Sequence, residues 1–203
     1  MNMRSLLVAF VLLVAHSSRS AAQSVFHLLS WNAFISGTST LHDWHSQIDT
    51  IKFTGSIHAD GTNTVVIRDI DVCIPVRGIR SHEGSIMDDK TFAAFKSEKY
   101  PNITFTARSA QAIIGADHTL VIATEGTLTM AGTSLPVALS GNGQISDDGQ
   151  WHLNIAKELN MEDYRMTPPA AVLGTIRVGP VVTVHFDLVL SEKESQIIEV
   201  GNK

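Results

Sequence analysis

The chain has 203 residues, 44% hydrophobic and 17% charged, with a formal net charge of −5 and one cysteine. That is enough apolar material for one packed domain, and disorder is excluded because it needs low hydropathy with high net charge. An acidic chain without a basic face is a poor neutraliser of phosphates, which excludes a nucleic-acid partner, and a lone cysteine excludes an intrachain disulfide or a multi-cysteine metal site.

Residues 1–22 read as a secretory signal peptide. Arg4 supplies the positive start, Leu6 to Ala15 an apolar stretch, and Ser20-Ala21-Ala22 the small residues of a cleavage site after Ala22. Ten apolar residues are too few for a spanning helix of about 20, and no later segment is long and apolar enough for a stable membrane span. The expectation is a periplasmic or secreted protein, with a domain over residues 23–191 and a polar tail, Glu192 to Lys203, that is partly disordered.

Period-two alternation then dominates. After a run from Val25 to Ser36, one face carries Ile51, Phe53, Gly55 and Ile57. Val66, Ile70, Val72, Ile74 and Val76 share the next face, and Cys73 reads as a small buried hydrophobe. Ile103, Phe105 and Ala107 follow, then Leu128 with Met130, Leu135 to Leu139, Trp151 to Ile155, and Val182 to Leu190. Such half-apolar runs, rich in Val, Ile, Thr and Phe, are strands. Turn signals fall at Asp60-Gly61, Gly115-Ala116-Asp117, Gly141-Asn142-Gly143 and Asp148-Gly149. About eight strands with one apolar face predict an all-β fold, an antiparallel sheet that closes on itself.

Ser85 to Lys96 breaks the pattern. Ile86, Thr91-Phe92 and Phe95 recur at helical spacing, Asp88 and Asp89 complement the dipole in the first turn, and Tyr100-Pro101 ends the segment. A helix this short is marginal alone, so Phe92 and Phe95 must dock on the sheet or cap an open end.

Catalytic motifs are weak. His42 and His45, with Asp43 between them, have the residue types of a metal site. In a strand or turn their side chains diverge, so a turn with Trp44 packing inward is the plainer reading. Ser81-His82-Glu83 has a nucleophile beside a base but no orienting acid or oxyanion loop. No cofactor is expected. The inward set mixes large residues (Phe53, Phe105, Met130, Phe186) with small ones (Gly55, Ala107). It fits either a dry core or an apolar tunnel for one elongated ligand.

Several stretches resemble the YceI-like family of exported polyisoprenoid-binding proteins. They are Gly37-Thr38-Ser39-Thr40-Leu41-His42-Asp43-Trp44, Ile74-Pro75-Val76, Lys99-Tyr100-Pro101-Asn102-Ile103-Thr104-Phe105, Gly126 to Gly132, and Met161-Glu162-Asp163-Tyr164 before Leu173-Gly174-Thr175-Ile176. The first marks a His-Asp-Trp branch. The resemblance implies an eight-stranded, lipocalin-like antiparallel barrel with one helix (about residues 85–97) beside it. It implies a role in carrying or sequestering a long isoprenoid, quinone or fatty-acid derivative, with no enzymatic activity, and homodimer pairing within the family. Alternation and the docked helix nominate the lumen residues Trp44, Phe53, Ile74, Phe92, Phe95, Ile103, Phe105, Met130, Tyr164 and Phe186, with Arg80 and His82 at a headgroup. Gly126 and Gly132 would permit tight turns, and Gly174 a bulge or close backbone approach. The alternatives are a structural or stress-related interaction protein with a filled core, and a metal-binding protein using His42 and His45.

Overall fold

Alternation becomes strands in the computed structural model, which describes residues 24–59, 63–171 and 174–194. The expected signal peptide, the Asp60-Gly61 turn and most of the polar tail lie outside the described residues. In chain order the elements are β1 (Ser24–Ser39), β2 (Trp44–Ile48), β3 (Lys52–Ala59), β4 (Thr64–Pro75), β5 (Ile79–Ser81), α1 (Ser85–Ala94), β6 (Asn102–Ile114), β7 (Thr119–Met130), β8 (Thr133–Ile145), β9 (Trp151–Asn160), β10 (Ala170–Ala171) and β11 (Ile176–Glu194). One-turn 3-10 segments lie at Val76–Gly78, Ala116–His118 and Met161–Tyr164.

Eight strands pair antiparallel in the order β1, β3, β4, β6, β7, β8, β9, β11. The long ladder of β11 on β1, from Ser24↔Glu194 to Ser39↔Val178, closes the barrel. Closure leaves no full-length free edge. β2 and β5 extend from the upper part of β1, and the two-residue β10 pairs with the start of β11. β11 reaches Glu194, three residues into the segment expected to be tail.

The inward phase slips where sequence alternation gives no warning. Asp69 sits at φ 53°, a bulge inside β4. Before it Ile67 faces inward at 2% exposure; after it Ile70, Val72 and Ile74 do. Val66, expected on that face, is therefore displaced from it. β6 slips in the same region: Ala107 and then Ala110 are buried, with a register shift against β7 between them. Cys73 lies on the outer phase of β4 and is half-buried rather than buried.

Two glycine expectations change. Gly132, at φ 82°, does make the β7–β8 turn. Gly126 lies inside β7, where a Cβ would sit 2.5 Å from Cζ of Phe105; its role is close packing, not turning. Gly141-Asn142-Gly143 is likewise no turn but part of the C-terminal half of β8, opposite Ile155, Asn154 and Leu153 of β9. Gly174 has φ 85° with nothing near its Cβ position, so no close approach explains it.

Helix α1 is held on β5 by Asp88. Its Oδ1 accepts from the Ser81 N–H at 2.6 Å and its Oδ2 pairs with Arg80 at 3.1 Å. The helix face that turns to the barrel carries Met87, Thr91, Ala94 and Phe95. This i, i+4, i+7, i+8 set excludes Ile86, which is 73% exposed, contrary to the sequence expectation. The helix ends at Ala94, two residues early.

The barrel contains two apolar clusters. One fills the end away from the helix, with Phe26, Ile67, Phe105, Leu120, Trp151 and Leu190. There the Phe26 and Trp151 rings meet edge to face at 4.9 Å. The other joins the opposite end to the helix through Val76, Ile79, Phe92, Phe95, Met161 and Tyr164. Among the described residues, no helix is long and apolar enough to cross a membrane.

Candidate functional site

The inward faces do not meet in the middle. They enclose a cavity of 440 Å³ reaching from the helix end toward the filled end, within the range of about 300–1,000 Å³ usual for small-molecule sites. Every barrel strand supplies its wall, including Ile35, Phe53, Val72, Phe105, Leu128, Leu139, Ile155 and Val184. Val137 and Leu139 of β8 and Ile155, Lys157 and Leu159 of β9, all half-buried, border this void.

Of the ten apolar candidates, Trp44, Phe53, Ile74, Phe95, Ile103, Phe105, Met130 and Phe186 border the cavity. Phe92 and Tyr164 do not. Both are buried in the cluster beneath the helix, and the Arg77 and Arg80 guanidinium carbons lie 5.3 and 5.6 Å from the Phe92 ring centre. Trp44 is fixed by an Nε1–H bond to the Thr38 carbonyl at 3.1 Å. Its ring lies so close to Gly37 that a Cβ there would come within 2.6 Å of it.

The mouth lies beside α1. Leu41, 65% exposed, borders the cavity there with Ser39, His42, Pro169 and Ala170. Arg80 and His82 do not border it. Arg80 is bound to Asp88, and the His82 ring stacks on His45 at 5.5 Å. Their neighbours Ser81, on the inward phase of β5 with Ile79, and Glu83, in the turn that follows the strand, border it instead. The Ser81 hydroxyl donates to Glu83 Oε2 at 2.5 Å. That bond, aided by nearby His42 and His45, holds the Glu83 carboxyl below its ordinary range. The Ser81 proton thus points to the Glu83 carboxylate and not to the His82 imidazole. His42 Nδ1 lies 2.7 Å from the Asp43 carbonyl. Among the described residues, no group of three or more His, Cys, Asp or Glu is gathered to hold a metal.

Sequence reasoning passed over Met87, Met161, Met166 and Lys157, which also border the cavity. The methionines stand on the helix or near a 3-10 turn, where no period of two announces them. Lys157 had a signal: it occupies an inward position in the series Trp151, Leu153, Ile155, Lys157, Leu159.

Solved structures share the architecture. The chain aligns with a polyisoprenoid binding domain from Saccharophagus degradans, implicated in plant cell wall breakdown, at TM-score 0.61 and 14% identity, covering 85% of this chain and 99% of that one. It aligns with BcnA of Burkholderia cenocepacia at TM-score 0.56 and 14% identity, covering 78% and 95%. No curated protein matches the chain. The sequence model of the YceI-like domain matches residues 18–190, and on that span the chain belongs to the YceI-like family.

Proposed function

We propose that this protein binds one long-chain amphiphilic lipid inside its barrel, as an exported carrier or store, with no catalytic step. The observation that carries the reading is the 440 Å³ apolar cavity with a mouth beside the helix. An apolar cavity of about 150 Å³ takes a six-carbon ring, so this one holds on the order of 18 carbons. At about 0.8 kcal/mol per buried CH₂, such a tail contributes roughly 14 kcal/mol before ordering costs are subtracted. An isoprenoid, an isoprenoid quinone or a fatty-acid derivative supplies such a tail; a much longer polyprenyl chain would extend through the mouth. The Saccharophagus degradans neighbour is named for polyisoprenoid binding, which agrees with this class. The signal-peptide reading of residues 1–22 adds export to the periplasm or beyond.

The test is organic extraction of the purified full-length product, followed by mass spectrometry, alongside native mass spectrometry of the intact protein. A stoichiometric lipid is expected. Extracts without lipid, together with no uptake of added long-chain lipid, overturn the proposal.

A further inference from the structure

The barrel wall is not uniformly knit. β7 pairs with β8 along its whole length, from Thr119↔Gln144 to Met130↔Thr133. β9 pairs with β11 from Trp151↔Leu190 to Asn160↔Val181. Between β8 and β9, however, pairing runs only from Ile145↔Trp151 to Gly141↔Ile155. Glycines make that short zipper tight: a Cβ on Gly143 would overlap the His152 carbonyl, and one on Gly141 would come within 2.6 Å of Ile155. Above Gly141 the two strands part. The β1–β3 pairing is also short, but β2 takes over the edge of β1 and Trp31 Nε1–H spans to the Ile48 carbonyl at 3.2 Å. Nothing comparable joins residues 133–140 to residues 156–160 among the described residues.

The cavity reaches this parting. Ser140, the last residue of β8 before the paired stretch begins at Gly141, borders the cavity. On the facing edge stands Lys157, on the inward phase of β9 between Ile155 and Leu159. Among the described residues, only Glu83 and Lys157 carry full charge along the wall, and Glu83 stands at the other opening, beside the helix. Lys90 and Lys96 donate to the carbonyls of Ala170 and Arg165. Lys157 has no hydrogen-bond or ion-pair partner among the described residues. An ammonium on an apolar wall is tolerated where water reaches it, and it gains most from an anion brought by a ligand.

We propose that Lys157, at the parting of β8 and β9, binds the anionic head of the amphiphile whose tail fills the cavity. The inference rests on the lipid-binding reading above and deepens it. One ammonium balances one charge. A diphosphate would leave further negative charge uncompensated against Leu139, Ile155 and Leu159, so the fitting head is a monoanion, and the ligand class is a long-chain carboxylate. Glu83, held ionised by Ser81, disfavours the same head at the helix-side mouth. The two openings are therefore chemically distinct.

The test compares oleic acid with oleyl alcohol, one tail with a charged or an uncharged head, by calorimetric titration of the full-length protein near neutral pH. The wild type is expected to bind the acid about tenfold to a hundredfold more tightly than the alcohol, the scale of one charge-assisted hydrogen bond. Lys157→Gln is expected to erase that preference by weakening binding of the acid toward that of the alcohol, and Lys157→Arg to keep it. Equal binding of acid and alcohol by the wild type overturns the role of Lys157 while the cavity reading stands. Binding of neither overturns the lipid reading itself. The wild-type comparison needs no variant to fold, so poor behaviour of Lys157→Gln does not leave the inference unjudged.

Discussion

Truncating two phenylalanines distinguishes a hollow barrel from a filled one. Phe105 and Phe186 both border the cavity, but their surroundings differ. Phe105 is 7% exposed, inside the cluster that fills the far end, with its ring against Gly126. Phe186 is only half-buried, because part of its ring already faces the void. Phe105→Ala removes fully packed contacts and leaves a new hole, a loss of about 3–5 kcal/mol. Phe186→Ala removes a ring of which a large part is already unpacked. A share of the usual burial term, on the order of 1–1.5 kcal/mol, is then lost, and the deleted volume merges with space already there. For a domain of this size 1 kcal/mol moves Tm by about 2–4 °C, so the expected drops are roughly 6–20 °C and 2–6 °C. The assay is reversible thermal unfolding with and without added oleic acid. At a hundredfold excess over Kd, ligand should stabilise the wild type by about 2.7 kcal/mol, and Phe186→Ala by less, because the tail loses a wall. Equal losses from both truncations, with no ligand-dependent rise in Tm, would mean that Phe186 packs as tightly as Phe105, and the hollow interior would be refuted.

Other outcomes follow from single contacts. Gly37→Ala places a methyl 2.6 Å from the Trp44 ring and should cost about 1–3 kcal/mol, with a shift in tryptophan emission as the indole is displaced; unchanged emission and stability would remove Trp44 from that position. Asp88→Ala strips the acceptor from the Ser81 N–H and the partner from Arg80. It should cost about 1–3 kcal/mol and raise amide exchange in α1 and β5 above that of β7; uniform exchange would show that other contacts hold the helix. Burial pushes the Tyr164 phenol above its ordinary 10.0, so the folded state keeps the proton longer than the unfolded chain. Its contribution is complete below pH 10 and declines as pH rises through the folded value. Alkaline loss of stability should thus be smaller in Tyr164→Phe, measured as denaturation midpoints at pH 8 and 11. N-terminal sequencing of the product exported by a bacterial host should begin at Gln23; retention of Met1 would reject the signal-peptide reading.

The barrel was legible because its strands are long and one-sided. Val182 to Leu190 and Trp151 to Ile155 repeat every second residue, and no helix shares that period. What escaped was local. Asp69 shifts the phase of β4 by one residue, and a single aspartate between Arg68 and Ile70 looks no different when it sits in a bulge. Gly141-Asn142-Gly143 carries the residues of a turn, but glycine also serves where another backbone presses close, and only the β9 partner separates the two uses. In α1 the adjacent Ile86 and Met87 offer two apolar faces in a ten-residue helix. Docking chose the face that continues through Thr91 and Ala94. At the mouth it is Ser81 and Glu83 that border the cavity, Ser81 on the opposite phase of β5 from Arg80 and Glu83 in the turn after it, where no period guides the reading. The apolar wall was easier to read because most inward residues border the cavity once the sheet closes.

The same two glycines bear on both stability and access. Gly141 and Gly143 let β8 and β9 close at the filled end, where Trp151 and Leu153 complete the packing. Continued pairing above Gly141 would bring residues 133–140 onto residues 156–160 and add backbone hydrogen bonds worth about 1 kcal/mol each. It would also press Val137 and Leu139 toward Lys157 and Leu159, closing the cavity at its side and leaving the ammonium in an apolar seam without water or anion, an arrangement that costs several kcal/mol. Lys157 thus opposes closure of the upper seam, while the glycines promote closure of the lower one. Lys157→Leu removes that opposition. It is expected to raise Tm of the ligand-free protein, slow hydrogen exchange on the upper edges of β8 and β9, and slow uptake of oleyl alcohol, whose head carries no charge for Lys157 to recognise. Unchanged exchange on those edges would show that the parting is set by backbone geometry alone.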